Sequence, residues 1–267
     1  MTMFAPLRQM FRARPEAARP TVPAGERYYV IGDIHGRLDL LTPLAEAIEA
    51  DASTSSARST VILLGDLVDR GADSAGVIAY ARAWQQRRPV RILAGNHEQM
   101  FLESFGSTEV LREFLKHGGR ETVLSYGIDP DIYRDATLPE VQALMADHIP
   151  AADIAFVEGF ESYVEAGDYL FVHAGIQPGV PLDEQQRSDM LWIRRRFIEH
   201  DAPHSHYVIH GHTISETIDQ QHNRMGIDTG AYRTGRLTAL ALEGTARRLI
   251  QAVETDGRIA IETGDRT

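Results

Sequence analysis

The chain has 267 residues, 43% of them hydrophobic, and no cysteine. That length can bury a sizeable core, and disulfides, thiolate metal sites and a cysteine nucleophile are excluded. A formal net charge of −11 disfavours nucleic acid as the main partner, because a phosphate backbone attracts basic surfaces.

Residues 1–26 carry Arg8, Arg12, Arg14 and Arg19 among Pro6, Pro15, Pro20 and Pro23. They read as a flexible tail ahead of a single domain, 27–267. The tail has no continuous apolar run, so it is neither a secretory signal nor a membrane span. No apolar run elsewhere approaches the ~18 residues that a span needs, and a cytoplasmic protein is expected.

The first strand, Arg27–Ile31, runs into Gly32-Asp33-Ile34-His35-Gly36. A helix follows, with Leu38, Leu41, Leu44, Ala45 and Ile48 on one face. Pro43 either opens that helix behind a Thr42 cap or kinks it. After a polar loop, Asp51–Ser59, the apolar run Val61–Leu64 is a buried strand that ends in Gly65-Asp66-Leu67-Val68-Asp69-Arg70-Gly71. Asp73–Gln86 is helical, with Val77, Ile78, Ala81 and Trp84 at helical spacing. Val90–Ala94 is a third strand, ending in Gly95-Asn96-His97-Glu98. Three strand-then-helix units argue for a doubly wound, largely parallel sheet. Each unit delivers polar, ligand-type residues just past its strand, where chemistry collects in such sheets.

Residues 98–160 read as a helical insertion, broken at Gly118-Gly119 and by a loop from Gly127 to Pro139. Short strands follow: Ser162–Ala166, Tyr169–His173, Tyr207–His210, Arg224–Ile227 and Leu237–Leu242. They are interrupted by the loop Gly175–Arg187 and by one helix, Asp189–His200. These strands are expected to form a second sheet packed on the first.

The residues that follow strands are Asp33, His35, Asp66, Asp69, Arg70, Asn96, His97, His173 and His212. Two carboxylates and a guanidinium just past a buried strand are costly unless something compensates them, and a metal ion would. Carboxylate, imidazole and amide ligands without thiolate suit Mn²⁺, Fe or Zn²⁺ rather than Ca²⁺. Two ions sharing one carboxylate would stabilise both the attacking and the leaving oxygen at phosphorus, and would make hydroxide available near neutral pH. No Gly-x-Ser-x-Gly elbow is present, and such chemistry needs no protein nucleophile.

Gly32-Asp33-Ile34-His35-Gly36, Gly65 to Gly71 and Gly95-Asn96-His97-Glu98 together resemble the three signature motifs of the PPP family of metal-dependent phosphoprotein phosphatases. Within it, the chain most resembles the small bacterial and phage-lambda type serine/threonine phosphatases. Leu191-Trp192-Ile193-Arg194, Gly211-His212-Thr213 and Ile227-Asp228-Thr229-Gly230-Ala231 extend the likeness, which spans roughly residues 27 to 243. Order and spacing make the three motifs specific together, unlike any one alone.

The resemblance implies a calcineurin-like α/β metallophosphoesterase fold: a two-sheet β-sandwich flanked by helices, here with a helical insertion. It implies Asp33 and His35 as ligands of a first metal, Asp66 as the bridge, and Asn96, His173 and His212 as ligands of a second. A metal-bridging hydroxide would attack phosphorus, and Mn²⁺ is the first choice of ion. His97 would be the general acid, with Asp69 on its far ring nitrogen. Arg70 and Arg194 would bind phosphate oxygens.

The expected substrate is a phosphoserine or phosphothreonine protein, with phosphotyrosine proteins as a further class. The alternative is a diadenosine tetraphosphate hydrolase, a branch that typically lacks the aspartate of Asp-Arg-Gly and carries aspartate where Glu98 stands. A nuclease of the wider superfamily would end in Gly-His-x-His, where this chain has Ile214. A binding module without catalysis is disfavoured by the complete ligand set. His210 competes with His212 for one ligand role, and family spacing selects His212.

Overall fold

Alternation along the strands decides which side chains face which layer. In the run Val61-Ile62-Leu63-Leu64, Val61 and Leu63 pack among the helices while Ile62 and Leu64 face the opposite way. Tyr29 and Ile31 share the first side and Val30 the second. A sheet with apolar residues on both faces must be covered on both, and here helices cover one face and a second sheet the other.

The computed structural model describes residues 19–266. Its first half runs β1 (Glu26–Ile31), α1 (Leu38–Ala52), β2 (Arg58–Leu63), α2 (Ser74–Arg87) and β3 (Val90–Ile92). Six helices follow: α3 (Asn96–Ser104), α4 (Thr108–Phe114), α5 (Arg120–Ser125), α6 (Pro130–Asp135), α7 (Leu138–His148) and α8 (Ala151–Glu158). Then come β4 (Tyr163–Ala166), β5 (Tyr169–Val172), α9 (Arg187–Trp192), α10 (Arg195–Ile198) and β6 (Tyr207–His210). The chain ends with β7 (Asp219–Gln220), β8 (Arg224–Gly226), α11 (Ala231–Thr234), β9 (Arg236–Glu243), β10 (Ala246–Thr255) and β11 (Arg258–Arg266).

The result is an α/β structure of two mixed sheets flanked by helices. One sheet has the order β11-β10-β9-β1-β2-β3 and the other β4-β5-β6-β8-β7. The two face each other across a core that includes Val30, Ile62, Leu64, Tyr169, Phe171, Ile209, Met225, Leu240 and Leu242. Outside the second sheet, Leu170, Val172 and Val208 meet Met190, Ile193 and Phe197.

Several sequence expectations are corrected. The first sheet is parallel only across β1, β2 and β3, because β9 joins β1 antiparallel and brings β10 and β11 with it. Leu237–Leu242 therefore belongs to the first sheet and not the second. Its Leu237, Ala239 and Ala241 face the helices while Leu240 and Leu242 face the second sheet, which suits a strand buried on both sides. Pro43 lies inside α1, and Thr42 Oγ1 donates to the Leu38 carbonyl (3.0 Å) rather than capping a start. The expected loop Gly127–Pro139 contains α6, begun by Asp129 accepting from the Asp131 and Ile132 amides.

The expected helix Asp189–His200 is two short helices, α9 and α10, with Ile193 and Arg194 out of helical conformation between them. Of the expected tail, residues 1–18 lie outside the described residues. Thr21 and Val22 are tied down: Val22 N donates to Gly244 O (3.2 Å), Thr21 N donates to Asp168 (2.8 Å), and the Val22 side chain joins the core between the sheets. Among the described residues, no helix is long and apolar enough to cross a membrane.

Candidate active site

The loops that leave β1, β2, β3, β5 and β6 converge at one edge of the two sheets. Their backbone there is unusual. Among the described residues six non-glycine positions have positive φ, and five of them are His35 (48°), Asp66 (49°), Asp69 (75°), Arg70 (70°) and His212 (62°). L-residues rarely adopt that region, and such conformations concentrate where the surrounding structure enforces a side-chain direction.

The enforcement is visible in the hydrogen bonds. Glu98, on the first turn of α3, accepts from Gly95 N (2.8 Å), Asp66 N (2.8 Å), Leu67 N (2.7 Å) and Val68 N (3.3 Å). Asp66 O accepts from Ile34 N (3.1 Å) and His35 N (2.8 Å), which stitches the loop after β1 to the loop after β2. Gly95 has to be glycine: a Cβ there would stand 2.1 Å from Asp66 Oδ1 and 2.4 Å from Asp66 N.

These loops bring two groups of potential metal ligands together, His35–Asp66–His97 and Asp66–His173–His212, and Asp66 belongs to both. Its Oδ2 lies 3.5 Å from His35 Nε2, and its Oδ1 lies 3.4 Å from His173 Nε2, so the two oxygens face opposite histidines. The distal ring nitrogens are fixed from behind. His35 Nδ1 donates to Val68 O (2.8 Å) and His173 Nδ1 donates to Leu64 O (2.8 Å), which leaves each Nε2 with its lone pair toward the centre. Burial pushes His35 down to about 3 and also lowers His173 and His212. Neutral imidazoles are the form that binds metal.

The donor set fits divalent ions. Asn96 Oδ1 and His173 Nε2 stand 3.0 Å apart with no proton to share when the ring keeps its Nδ1 hydrogen, and a cation satisfies both. His212 Nε2 is buried without a partner among the described residues. Burial, then Asp228 and Asp66, push Asp33 well above the usual carboxylate range, and burial with Asp66 raises Asp228 to about 6. Such crowding of buried acids is what bound cations relieve. Asp33 sits apart from both groups above, accepting the His212 amide on both oxygens (3.1 and 3.0 Å).

His97 Nδ1 is 2.5 Å from Asp69 Oδ2. Burial works against a charged ring, yet the carboxylates of Asp66 and Asp69 outweigh it and hold the His97 pKa above its ordinary value. Asp69 is itself held by Thr122 Oγ1, which donates to Oδ1 (2.6 Å). Arg70 reaches both rings: its guanidinium donates to His35 Nε2 (2.7 Å) and His97 Nε2 (2.9 Å). Arg194 is exposed at the break between α9 and α10, and its charge is felt by His173 and His212.

His210 points elsewhere, with Nδ1 on Gly211 O (3.0 Å) and its ring against Phe197 (5.1 Å). The structure thus gathers Asp33, His35, Asp66, Asp69, Arg70, Asn96, His97, His173 and His212 at one edge, with Arg194 at its rim.

Sequence reasoning did not identify Glu98, Thr122 or Tyr232 as parts of the site. Glu98 stands three residues after the helix-preceding Gly95, the spacing at which an acidic side chain reaches back to the N-cap amide, so a signal existed. Asp228, which follows β8, fits the strand-end pattern and was left without a role. Thr122 lies mid-helix in α5 and carries no local signal.

Residues 26–229 match the calcineurin-like phosphoesterase family. The chain is 27% identical over 222 residues to serine/threonine-protein phosphatase 1 of Salmonella typhimurium, covering 80% of this chain and 91% of that protein. It is 25% identical over 232 residues to the asymmetrical bis(5'-nucleosyl)-tetraphosphatase PrpE of Geobacillus thermodenitrificans, covering 79% and 88%. A symmetrical bis(5'-nucleosyl)-tetraphosphatase of Klebsiella pneumoniae is 40% identical over 77 residues, 29% of this chain and 25% of that one. Among solved structures, one titled a putative diadenosine tetraphosphatase shares the fold with a TM-score of 0.55 at 19% identity, covering 92% of this chain and 98% of its own.

Proposed function

The chain belongs to the calcineurin-like phosphoesterase family, whose members use dinuclear metals, and from that premise we propose that it hydrolyses phosphoserine and phosphothreonine monoesters of proteins. The His97–Asp69 pair carries this reading. A serine or threonine side chain leaves as a strongly basic alkoxide, so its departure needs a proton donor in place. A nucleotide leaving from a polyphosphate is already a stable anion and needs no such donor. A buried imidazole whose Nδ1 is held 2.5 Å from the Asp69 carboxylate, with its Nε2 turned to Arg70 beside the ligand cluster, is placed for the first task.

In this reading Asp33 and His35 hold one ion, Asn96, His173 and His212 the other, and Asp66 both. Nitrogen and oxygen donors without thiolate favour Mn²⁺, with Fe and Zn²⁺ accepted by the same set. Bound ions there supply Lewis acidity toward phosphoryl oxygens and acidify water. Arg70 and Arg194 grip the remaining phosphate oxygens with planar forks of donors. With the Arg70 donors turned from His97 Nε2 to phosphate, that nitrogen carries the proton passed to the alkoxide oxygen, and Asp69, steadied by Thr122, keeps the ring oriented and its Nδ1 proton in place. Similarity over nine-tenths of a serine/threonine phosphatase supports the reading. A cytoplasmic setting among phosphoproteins goes with it.

The second reading, hydrolysis of dinucleoside polyphosphates, is favoured by the similarity to tetraphosphatases. Initial rates with Mn²⁺ on a phosphoserine peptide and on diadenosine tetraphosphate separate the two. Faster peptide turnover, abolished by chelation, is the expected result. Preference for the dinucleotide would replace the first reading with the second.

A further inference from the structure

Tyr232 stands outside every motif, yet the Arg70 guanidinium lies over its ring, with the central carbon 4.7 Å from the ring centroid. The same ring meets His35 edge-on at 5.3 Å. We propose that Tyr232 is a positioning residue for phosphate binding: its ring holds the Arg70 guanidinium beside the ligand cluster, where the donors that meet His35 Nε2 and His97 Nε2 can turn to phosphate oxygens. The inference rests on the phosphate-binding role given to Arg70 in the proposed function.

The chemistry favours this division of labour. A guanidinium held against an aromatic ring is held without a carboxylate, so its N–H donors are not tied to a competing anion. An aromatic ring attracts a cation with its π-face, and it brings no anionic oxygen to compete with the phosphate.

The Tyr232 turn is also built to stay where it is. Gly230 (φ 71°) and Gly235 (φ 69°) bracket α11 in left-handed conformation. Thr234 Oγ1 donates to Thr229 O (2.7 Å), and Arg37 Nη1 donates to Ala231 O (2.8 Å). Arg37 in turn is pinned by Asp39 and Glu254. The stem of Arg70 is gripped from the other side. Its amide donates to Gly118 O (3.0 Å), and a Cβ on Gly118 would stand 2.6 Å from Arg70 Cγ. Stem and head are thus held by different parts of the chain, the helical insertion and the turn before β9.

The test is competitive inhibition by inorganic phosphate during hydrolysis of p-nitrophenyl phosphate, measured on the metal-loaded enzyme. Tyr232→Ala is expected to raise the phosphate inhibition constant about five-fold, the equivalent of a ~1 kcal/mol cation–π contact. KM rises in parallel and bound metal is unchanged. Tyr232→Phe, which keeps the ring, restores the wild-type constant. In an Arg70→Ala background, where phosphate binding is already weakened, Tyr232→Ala has no further effect. An equal loss in that background, or failure of phenylalanine to restore binding, overturns the proposal. So does a Tyr232→Ala enzyme with wild-type phosphate inhibition while Arg70→Ala is weakened. If Arg70→Ala itself leaves phosphate inhibition intact, the role of Arg70 falls and this inference falls with it.

Discussion

The loops after β1, β2 and β3 hold one another, whereas the residues after β5 and β6 are held mainly by the opposite sheet. Glu98 alone satisfies four amides of the first set, and Asp66 O takes two more. On the second sheet, His173 Nδ1 leans on Leu64 O and the His212 amide on Asp33, both groups of the first sheet, and His212 Nε2 has no partner among the described residues. One sheet therefore supplies a frame that folding completes. The other supplies imidazoles that a cation, held as proposed, would complete. Buried polar groups are satisfied by one means or the other.

The largest effect is expected where the two regions share a residue. Asp66→Asn should lose metal at both positions and at least about 10³-fold in turnover, since several kcal/mol of transition-state stabilisation go with the ions. Elemental analysis of the purified variant checks it, and two ions retained per chain would remove Asp66 from the shared position.

Next comes the frame itself. Glu98→Ala strands several buried amides and should lower the unfolding free energy in urea by about 3 kcal/mol or more. An unchanged urea midpoint would mean that the first-sheet loops do not depend on this carboxylate.

The second-sheet counterpart should behave differently. His212→Ala should drop the metal content by one ion per chain while moving the urea midpoint of the chelated protein by about 1 kcal/mol or less, because it deletes an atom that folding leaves unpaired. Loss of folding comparable to Glu98→Ala would erase the distinction between the sheets.

The smallest effect belongs to Thr122→Val. It removes the hydroxyl that donates to Asp69 Oδ1 and accepts from the Asp69 amide, with its contact to Ser74, and should slow turnover about five-fold with metal content intact. An unaltered rate would show that Asp69 is held well enough without it.

Much of this was legible in the sequence because the ligand-type residues sit one to five positions after apolar strands, and chain order fixes them there. Asp33, His35, Asp66, Asn96 and His97 needed only that rule and the motif likeness. What the sequence hid was pairing across long separations. Nothing local in Leu237–Leu242 says that it runs beside β1, since a strand buried on both faces reads alike in either sheet. The break at Ile193-Arg194 was hidden by continuous helical spacing through Asp189–His200. Thr122 meets Asp69 across 53 positions and Tyr232 reaches Arg70 only through the folded turn, so no window of sequence joins them.

The central claim is that His97, kept protonated beside Asp69, delivers the proton to a basic leaving group. His97→Asn, assayed on a phosphoserine peptide and on p-nitrophenyl phosphate, tests it most directly. Nitrophenolate departs without a proton, so the account predicts a loss of roughly 10²–10⁴-fold on the peptide, a far smaller loss on the aryl ester, and bound metal unchanged. Equal losses on both substrates, or loss of metal alongside activity, would contradict it.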